Sequence, residues 1–184
     1  MKLPKSAKRL TVDALLTAVA LTVFVIELWI PSIGIPGVKL GLSNIVTVAA
    51  AFLIGPWDAG AILFCRILLG GIFTGQVMAL WYSLAGGTLC WLSMLVMLKI
   101  ATETQIWAAS VVGAIAHNIG QILVAAAVTR TRAVFWYLPV LMISGILAGL
   151  LTGAAAQFAA DRLRGIPGLF PSGSDPDIKG RRKP

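Results

Sequence analysis

Long apolar runs, separated by short breaks of polar residues, glycine and proline, dominate the hydropathy pattern of the chain. Six such runs lie at 10–30, 40–54, 59–73, 77–98, 106–128 and 138–160. A helix needs roughly 20 apolar residues to cross a bilayer. The runs therefore predict an all-α fold, an integral membrane bundle of six helices that occupies residues 10–160.

The second and third runs are shorter than a full span and are separated only by GPWD (55–58). They are compatible with short or tilted helices, or with a partly re-entrant segment buried by protein. If GPWD were only a kink, the chain would cross five times and its two ends would lie on opposite sides. The break PSIGIPG (31–37) holds two prolines and two glycines, and we predict that it forms part of a lid on the outer side.

Composition supports a membrane protein. Hydrophobic residues make up 58% of the 184 residues and charged residues 12%, whereas soluble domains are about a quarter charged. The segment 1–9 is predicted as a basic cytoplasmic N-terminus. Residues 161–184, rich in charge, glycine and proline, are predicted as a basic, disordered cytoplasmic tail.

The distribution of lysine and arginine predicts the orientation. In the six-span arrangement eleven basic residues fall on the side of the chain ends and three on the other, with Arg66 inside a span. Cytoplasmic loops carry the excess of positive charge. We therefore predict a multi-pass protein of the cell membrane with both termini in the cytoplasm. The net charge of +8 does not follow an aromatic-basic stripe, so membrane lipids, and no nucleic acid, are the expected partners.

Several enzymatic chemistries lack their residues. The chain has no glycine-rich phosphate loop, no cluster of aspartates able to hold magnesium against a diphosphate, and a single histidine, His117. Cys65 and Cys90 lie inside apolar runs and suggest no metal site. We predict that the chain is not an enzyme and uses no cofactor or metal.

Polar side chains at membrane depth are costly and are candidates for function. We predict a ligand cavity open to the outside, for a small polar or anionic molecule. Its candidate residues are Lys39, Asn44, Arg66, Gln76, Trp81, His117, Asn118 and Gln121. The alternative is that the amides form hydrogen bonds between helices and that Trp81 is an interfacial aromatic. Arg66 needs a partner, either Glu27 or the ligand.

Small residues form two seams. Ala14 and Ala18 lie four apart in ALLTA (14–18), and the sixth run carries Gly145, Ala148, Gly149, Gly153 and Ala156. Such seams allow close helix packing in membranes, either within the bundle or against another membrane protein.

Five strings, in this order, carry a family resemblance: PGVKLGLSNIV (36–46), RILLGG (66–71), SLAGG (83–87), AHNIGQ (116–121) and SGILAG (144–149). The chain resembles the Gx transporter family, also called heptaprenyl diphosphate synthase component I. That family is similar to the S-components of energy-coupling-factor transporters, six-helix proteins that capture micronutrients from outside.

The resemblance implies a coupling membrane subunit and two ATPases as partners. The string ALLTA is similar to the motif through which such S-components meet the coupling subunit, which implies a partner contact at Ala14 and Ala18. An alternative function is a non-catalytic membrane subunit that assists polyprenyl diphosphate or quinone metabolism. A third is a facilitator that works without ATPases.

Overall fold

The structure, a computed structural model, describes residues 5–29, 41–102 and 104–166. Its elements in chain order are α1 (Lys5–Leu28), α2 (Asn44–Leu53), α3 (Pro56–Thr74), α4 (Val77–Ile100), α5 (Ile106–Thr129), a 3-10 helix (Arg132–Tyr137) and α6 (Leu138–Arg164). The six predicted runs correspond one to one to these six α-helices. The all-α prediction is confirmed.

Glycines end two of the helices where the sequence breaks. Gly55, with φ of +149°, separates α2 from α3, and Pro56 is the first residue of α3. Proline suits this position because the first helical N–H has no partner in the helix. Gly75, with φ of +64°, reverses the chain between α3 and α4. GPWD is therefore a tight reversal that already contains the first turn of α3.

Six membrane spans are not confirmed, because the second helix is the short helix that its run already allowed. In the described part of the chain, five helices are long and apolar enough to cross a membrane. α2 has 10 residues. At 1.5 Å per residue it is about 15 Å long, roughly half the thickness of the hydrocarbon core. It is buried along most of its length, so the bundle and not lipid surrounds its backbone.

An ion pair fixes the direction of the first three helices. The guanidinium of Arg9, near the start of α1, donates to both carboxylate oxygens of Asp58, near the start of α3, at 2.8 and 2.6 Å. At the other end of these helices, the ring of Phe24 packs on Gly70. α1 and α3 therefore run parallel, and the short α2 returns the chain between them.

The remaining helices alternate in direction. Trp91 of α4 packs on Gly60 of α3, and Leu80 packs on Gly71. Contacts between neighbouring helices likewise show that α5 runs antiparallel to α4 and that α6 runs antiparallel to α5. The contacting pairs are Gly86 with His117, Gly113 with Cys90, Gly145 with Asn118 and Gly153 with Trp107. Both ends of the described chain therefore lie at one end of the bundle, which the five-crossing alternative does not allow.

The small residues of α6 pack within the bundle. A Cβ added at Gly149 would lie 2.7 Å from the Cα of Val111, and one added at Gly153 would lie 2.6 Å from the Cα of Trp107. Helices in lipid associate through such close backbone approach, since lipid is as apolar as their own side chains. This seam is the α5–α6 interface.

The apolar core occupies the half of the bundle near the chain ends. It comprises most of α2 and the facing residues of α3 to α6, among them Ile62, Met94, Leu98, Ile106, Ala156 and Ala160. The terminal boundaries differ from those predicted, because residues 5–9 belong to α1 and residues 161–164 to α6. The lid segment 31–37 and residues 167–184 of the predicted tail lie outside the described residues.

Candidate functional site

A polar cavity of about 80 Å³ lies in the half of the bundle away from the chain ends. All six α-helices contribute to its wall. The lining residues are Phe24, Glu27, Gly41, Ser43, Asn44, Arg66, Ser83, Ala114, His117, Asn118, Gln121, Ser144, Gly145, Ala148, Gly149 and Thr152.

Five of the eight predicted site residues line this cavity. They are Asn44, Arg66, His117, Asn118 and Gln121. Gln76 lies instead on a second cavity of about 30 Å³ between α1, α3 and α4. Trp81 is 57% exposed and lines neither cavity. Lys39 lies outside the described residues.

Arg66 is the most buried charge of the site, with 7% of its surface exposed. Its Nη1 donates to the hydroxyl of Ser43 at 2.7 Å, and its Nη2 donates to the side-chain oxygen of Asn44 at 3.2 Å. The guanidinium also lies over the ring of Phe24, 5.9 Å from the centroid. A guanidinium carries five N–H donors, and the Nε donor of Arg66 is buried without a hydrogen-bond partner in the described structure.

The partners of Arg66 are neutral, so its charge is not compensated by direct contact. None of the ion pairs among the described residues includes Arg66 or Glu27. Glu27, one of the two partners considered for Arg66, therefore forms no direct bridge with it, although both residues line the same cavity. Keeping a charge away from water without a counter-charge is costly. An anionic group bound beside Arg66 would supply the direct charge contact that the guanidinium lacks among the described residues.

Glu27 connects the end of α1 to the beginning of α2. One of its carboxylate oxygens accepts a hydrogen bond from the backbone N–H of Gly41. Gly41 has φ of +67°, a conformation that costs an L-residue with a side chain roughly 1–2 kcal/mol. Gly41 is followed by Ser43 and Asn44, so this turn places both acceptors that hold Arg66.

The α5 wall of the cavity combines an imidazole and two amides. The side chains of His117 and Gln121, one turn apart, are joined by a hydrogen bond of 3.2 Å between their Nε2 atoms. The ring of His117 occupies space that only a glycine at position 86 leaves open, since a Cβ there would lie 2.8 Å from the ring. The α4–α5 contact therefore fixes where the imidazole sits.

Asn118 has a structural contact in addition to its place on the cavity wall. Its side-chain nitrogen donates to the backbone oxygen of Leu141 in α6, and a Cβ at Gly145 would lie 2.5 Å from that nitrogen. The side-chain nitrogen of Asn118 therefore forms a hydrogen bond between helices, as in the alternative interpretation of the amides. Thr152 and Ser110, joined at 3.1 Å, form a second polar link between α5 and α6.

Four hydroxyl groups of the wall were not among the predicted site residues. They belong to Ser43, Ser83, Ser144 and Thr152. Ser83 and Ser144 begin two of the strings that carried the family resemblance, SLAGG and SGILAG. Their place in those strings was the signal that would have indicated them. Thr152 has no comparable signal, because isolated threonines are common in membrane helices and bond to their own backbone, as Thr152 does to Ala148.

The second cavity adjoins the first. The two share Phe24, Arg66 and Ser83 as common wall residues. Phe24 stacks on Arg66 at this shared wall and packs on Gly70. In the described ranges, no group of three His, Cys, Asp or Glu residues lies close enough to hold a metal ion.

Comparison with known proteins gives one match. Neither a curated protein nor a solved structure matches the chain. The family model described as Heptaprenyl diphosphate synthase component I matches residues 16–159, which include all six α-helices in whole or large part and every described residue of the polar cavity. The chain, a helical membrane protein with a polar chamber, therefore belongs to the heptaprenyl diphosphate synthase component I family.

Proposed function

We propose that the chain is the substrate-binding membrane subunit of an energy-coupling-factor type transporter, resembling an S-component, and that it captures a small molecule from the external face. The observation that carries the proposal is the polar cavity around Arg66. A buried guanidinium with neutral partners is an expensive group at membrane depth, and such groups occur where ligands or ions are bound. An apolar bundle with a purely structural role would not need it.

The position of the cavity supports access from outside. Both described chain ends lie at the opposite end of the bundle, and the excess of lysine and arginine lies with them. By the positive-inside rule that end faces the cytoplasm. The cavity then lies in the outer half of the membrane.

The exposed face of α1 supports a partner subunit. Among the described helices α1 packs against α2 and α3, and Ala14 and Ala18 lie on its exposed face. Small residues on such a face allow another helix to approach closely. We propose that a coupling membrane subunit docks there and that two ATPases supply the energy, because the chain has no phosphate-binding loop of its own.

The test compares what the protein retains after gentle extraction. The wild-type chain and the Arg66→Gln variant are purified from the native host in mild detergent, and retained small molecules are identified by mass spectrometry. We expect one polar compound to be enriched with the wild type and reduced at least tenfold with the variant, while both proteins elute as single species. Equal retention by the two proteins would remove Arg66 from the site.

The family's name favours a second candidate, a non-catalytic membrane component that assists a heptaprenyl diphosphate synthase. The two functions differ in their partners. Copurification of an ATPase pair with a coupling membrane subunit supports transport. Copurification of a prenyl diphosphate synthase, or a long-chain prenyl lipid in the cavity, supports the second candidate and contradicts the first.

A further inference from the structure

Two opposite charges face the main cavity without forming an ion pair. Arg66 is held by Ser43 and Asn44, and Glu27 is held by the backbone of Gly41. The carboxylate of Glu27 is near enough to act on Arg66 through space. Among the described residues each charge therefore has neutral hydrogen-bond partners of its own, and the two charges attract each other through space without direct contact.

The formal charge of the described wall is zero. Arg66 and Glu27 are its only Lys, Arg, Asp or Glu residues in the described part of the chain, and they cancel. A simple anion would gain from Arg66 and lose to Glu27, and a simple cation would do the reverse. A molecule that carries both charges gains from both, because complementary charges attract and like charges placed together cost several kcal/mol.

The size of the cavity restricts such a molecule. Its volume of about 80 Å³, with about 30 Å³ more in the adjoining cavity, suits a ligand of few non-hydrogen atoms. Hydroxyl groups at Ser83 and Ser144 and the amide of Gln121 supply further hydrogen bonds along the wall.

Resting on the proposed function, we propose that the ligand is a small zwitterion, with its anionic group directed to Arg66 and its ammonium group directed to Glu27. The described part of the wall offers two separated charges rather than a net charge. The chemical class is an amino acid or a similar compound that joins an amine to a carboxylate, phosphate or sulfonate.

The probes are ω-amino acids of increasing length: glycine, 4-aminobutyrate and 6-aminohexanoate. Each is compared with the carboxylate and with the amine of the same length, for instance butyrate and butylamine, and the neutral butyramide is included. Binding to the purified wild-type chain in detergent is measured by calorimetry and by the shift in unfolding temperature. We expect at least one amino acid to bind ten times more tightly than both of its singly charged counterparts and than butyramide.

Substitutions at two positions, Glu27 and Arg66, test which residues produce the preference for the amino acid. Glu27→Gln keeps an oxygen that accepts the Gly41 N–H but removes the charge, so we expect the preference for the amino acid over the carboxylate to fall at least tenfold. Arg66→Lys keeps the charge, and we expect it to retain more of this preference than Arg66→Gln. Asp161→Asn, an acid-to-amide change on the exposed end of α6, is the matched control and should leave the preference unchanged.

Equal binding of the amino acids and the singly charged compounds, or an unchanged preference in Glu27→Gln, would overturn the inference. So would tightest binding by butyramide, or a lack of binding by every member of the series together with equal stability in the two lipids described below. The proposed function fails on a separate result, the absence of a retained compound that depends on Arg66.

The same charge pair occurs in a free metabolite and in a lipid headgroup. The unfolding temperature is therefore also measured in nanodiscs of phosphatidylethanolamine and of phosphatidylglycerol. Stabilisation by phosphatidylethanolamine that free amino acids do not increase identifies the headgroup as the zwitterion. Stabilisation by free amino acids in both lipids identifies a soluble ligand.

Discussion

The carboxylate of Asp58 accepts two hydrogen bonds from the guanidinium of Arg9, 49 residues earlier in the chain. This contact joins the first turns of α1 and α3 and holds the two helices parallel. The side chain of Asp58 is 9% exposed, whereas that of Arg9 is 44% exposed. The two partners therefore do not respond equally when one is removed.

We expect Arg9→Met to destabilise the protein more than Asp58→Asn. Loss of Arg9 leaves the buried carboxylate of Asp58 without its counter-charge, whereas loss of the Asp58 charge leaves a guanidinium that still reaches water. Since the pair is partly exposed, we expect a loss of about 1–3 kcal/mol for Arg9→Met and less for Asp58→Asn. Thermal unfolding in detergent measures both. The double variant should recover part of the loss, and additive effects would contradict the pairing.

Gly41 and Gly75 offer a matched pair of substitutions. Both have φ near +65°, so alanine is strained by roughly 1–2 kcal/mol at either position. Only Gly41 touches the cavity, through its N–H bond to Glu27 and its place before Ser43. We expect Gly41→Ala and Gly75→Ala to lower the unfolding temperature similarly, and only Gly41→Ala to reduce the retained ligand. Equal retention in the two variants would show that the turn does not shape the site.

Gly149→Ala tests the α5–α6 seam. The added methyl would lie 2.7 Å from the backbone of Val111, which cannot move aside as a flexible side chain can. Overpacking of this kind costs typically about 1–3 kcal/mol. Gly165→Ala is the control, because Gly165 has a negative φ and its nearest atom is 3.4 Å away. We expect a clear fall in the unfolding temperature for the first variant and little change for the second.

Ala14→Phe and Ala18→Phe test the proposed docking face of α1. Both positions are exposed in the isolated chain, so we expect unfolding temperatures close to that of the wild type. A bulky ring there prevents close approach of a partner helix, and copurification of the coupling subunit should fall strongly. Ala154→Phe, also exposed but on α6, should leave copurification intact. Loss of the partner in all three variants would indicate a nonspecific effect.

The sequence predicted the helices closely because apolar runs and their proline and glycine breaks are local signals. It also indicated the chamber, since Arg66, Asn118 and Gln121 are costly in lipid and all three line one cavity. It did not distinguish Trp81 from them. α4 is apolar on all sides, so periodicity does not show which of its faces is turned inward.

The sequence pattern did not predict which residues far apart in the chain contact one another. In the sequence, Arg9 is one of several basic residues near the N-terminus, and Asp58 is part of a turn. Nothing local indicates that α1 and α3 are neighbours. The choice of partners for Arg66 likewise depended on where α2 begins. Ser43 and Asn44 reach the guanidinium because the short helix starts beside the middle of α3.

The reduced length of α2 accounts for the open chamber among the described residues. Helical backbone from α2 fills only the half of the bundle that holds the apolar core, up to the level at which Asn44 meets Arg66. A helix of full length in the same position would occupy the volume in which Glu27, His117 and Gln121 face one another. The chamber is thus the room left beyond a truncated helix, and the end of that helix forms its floor.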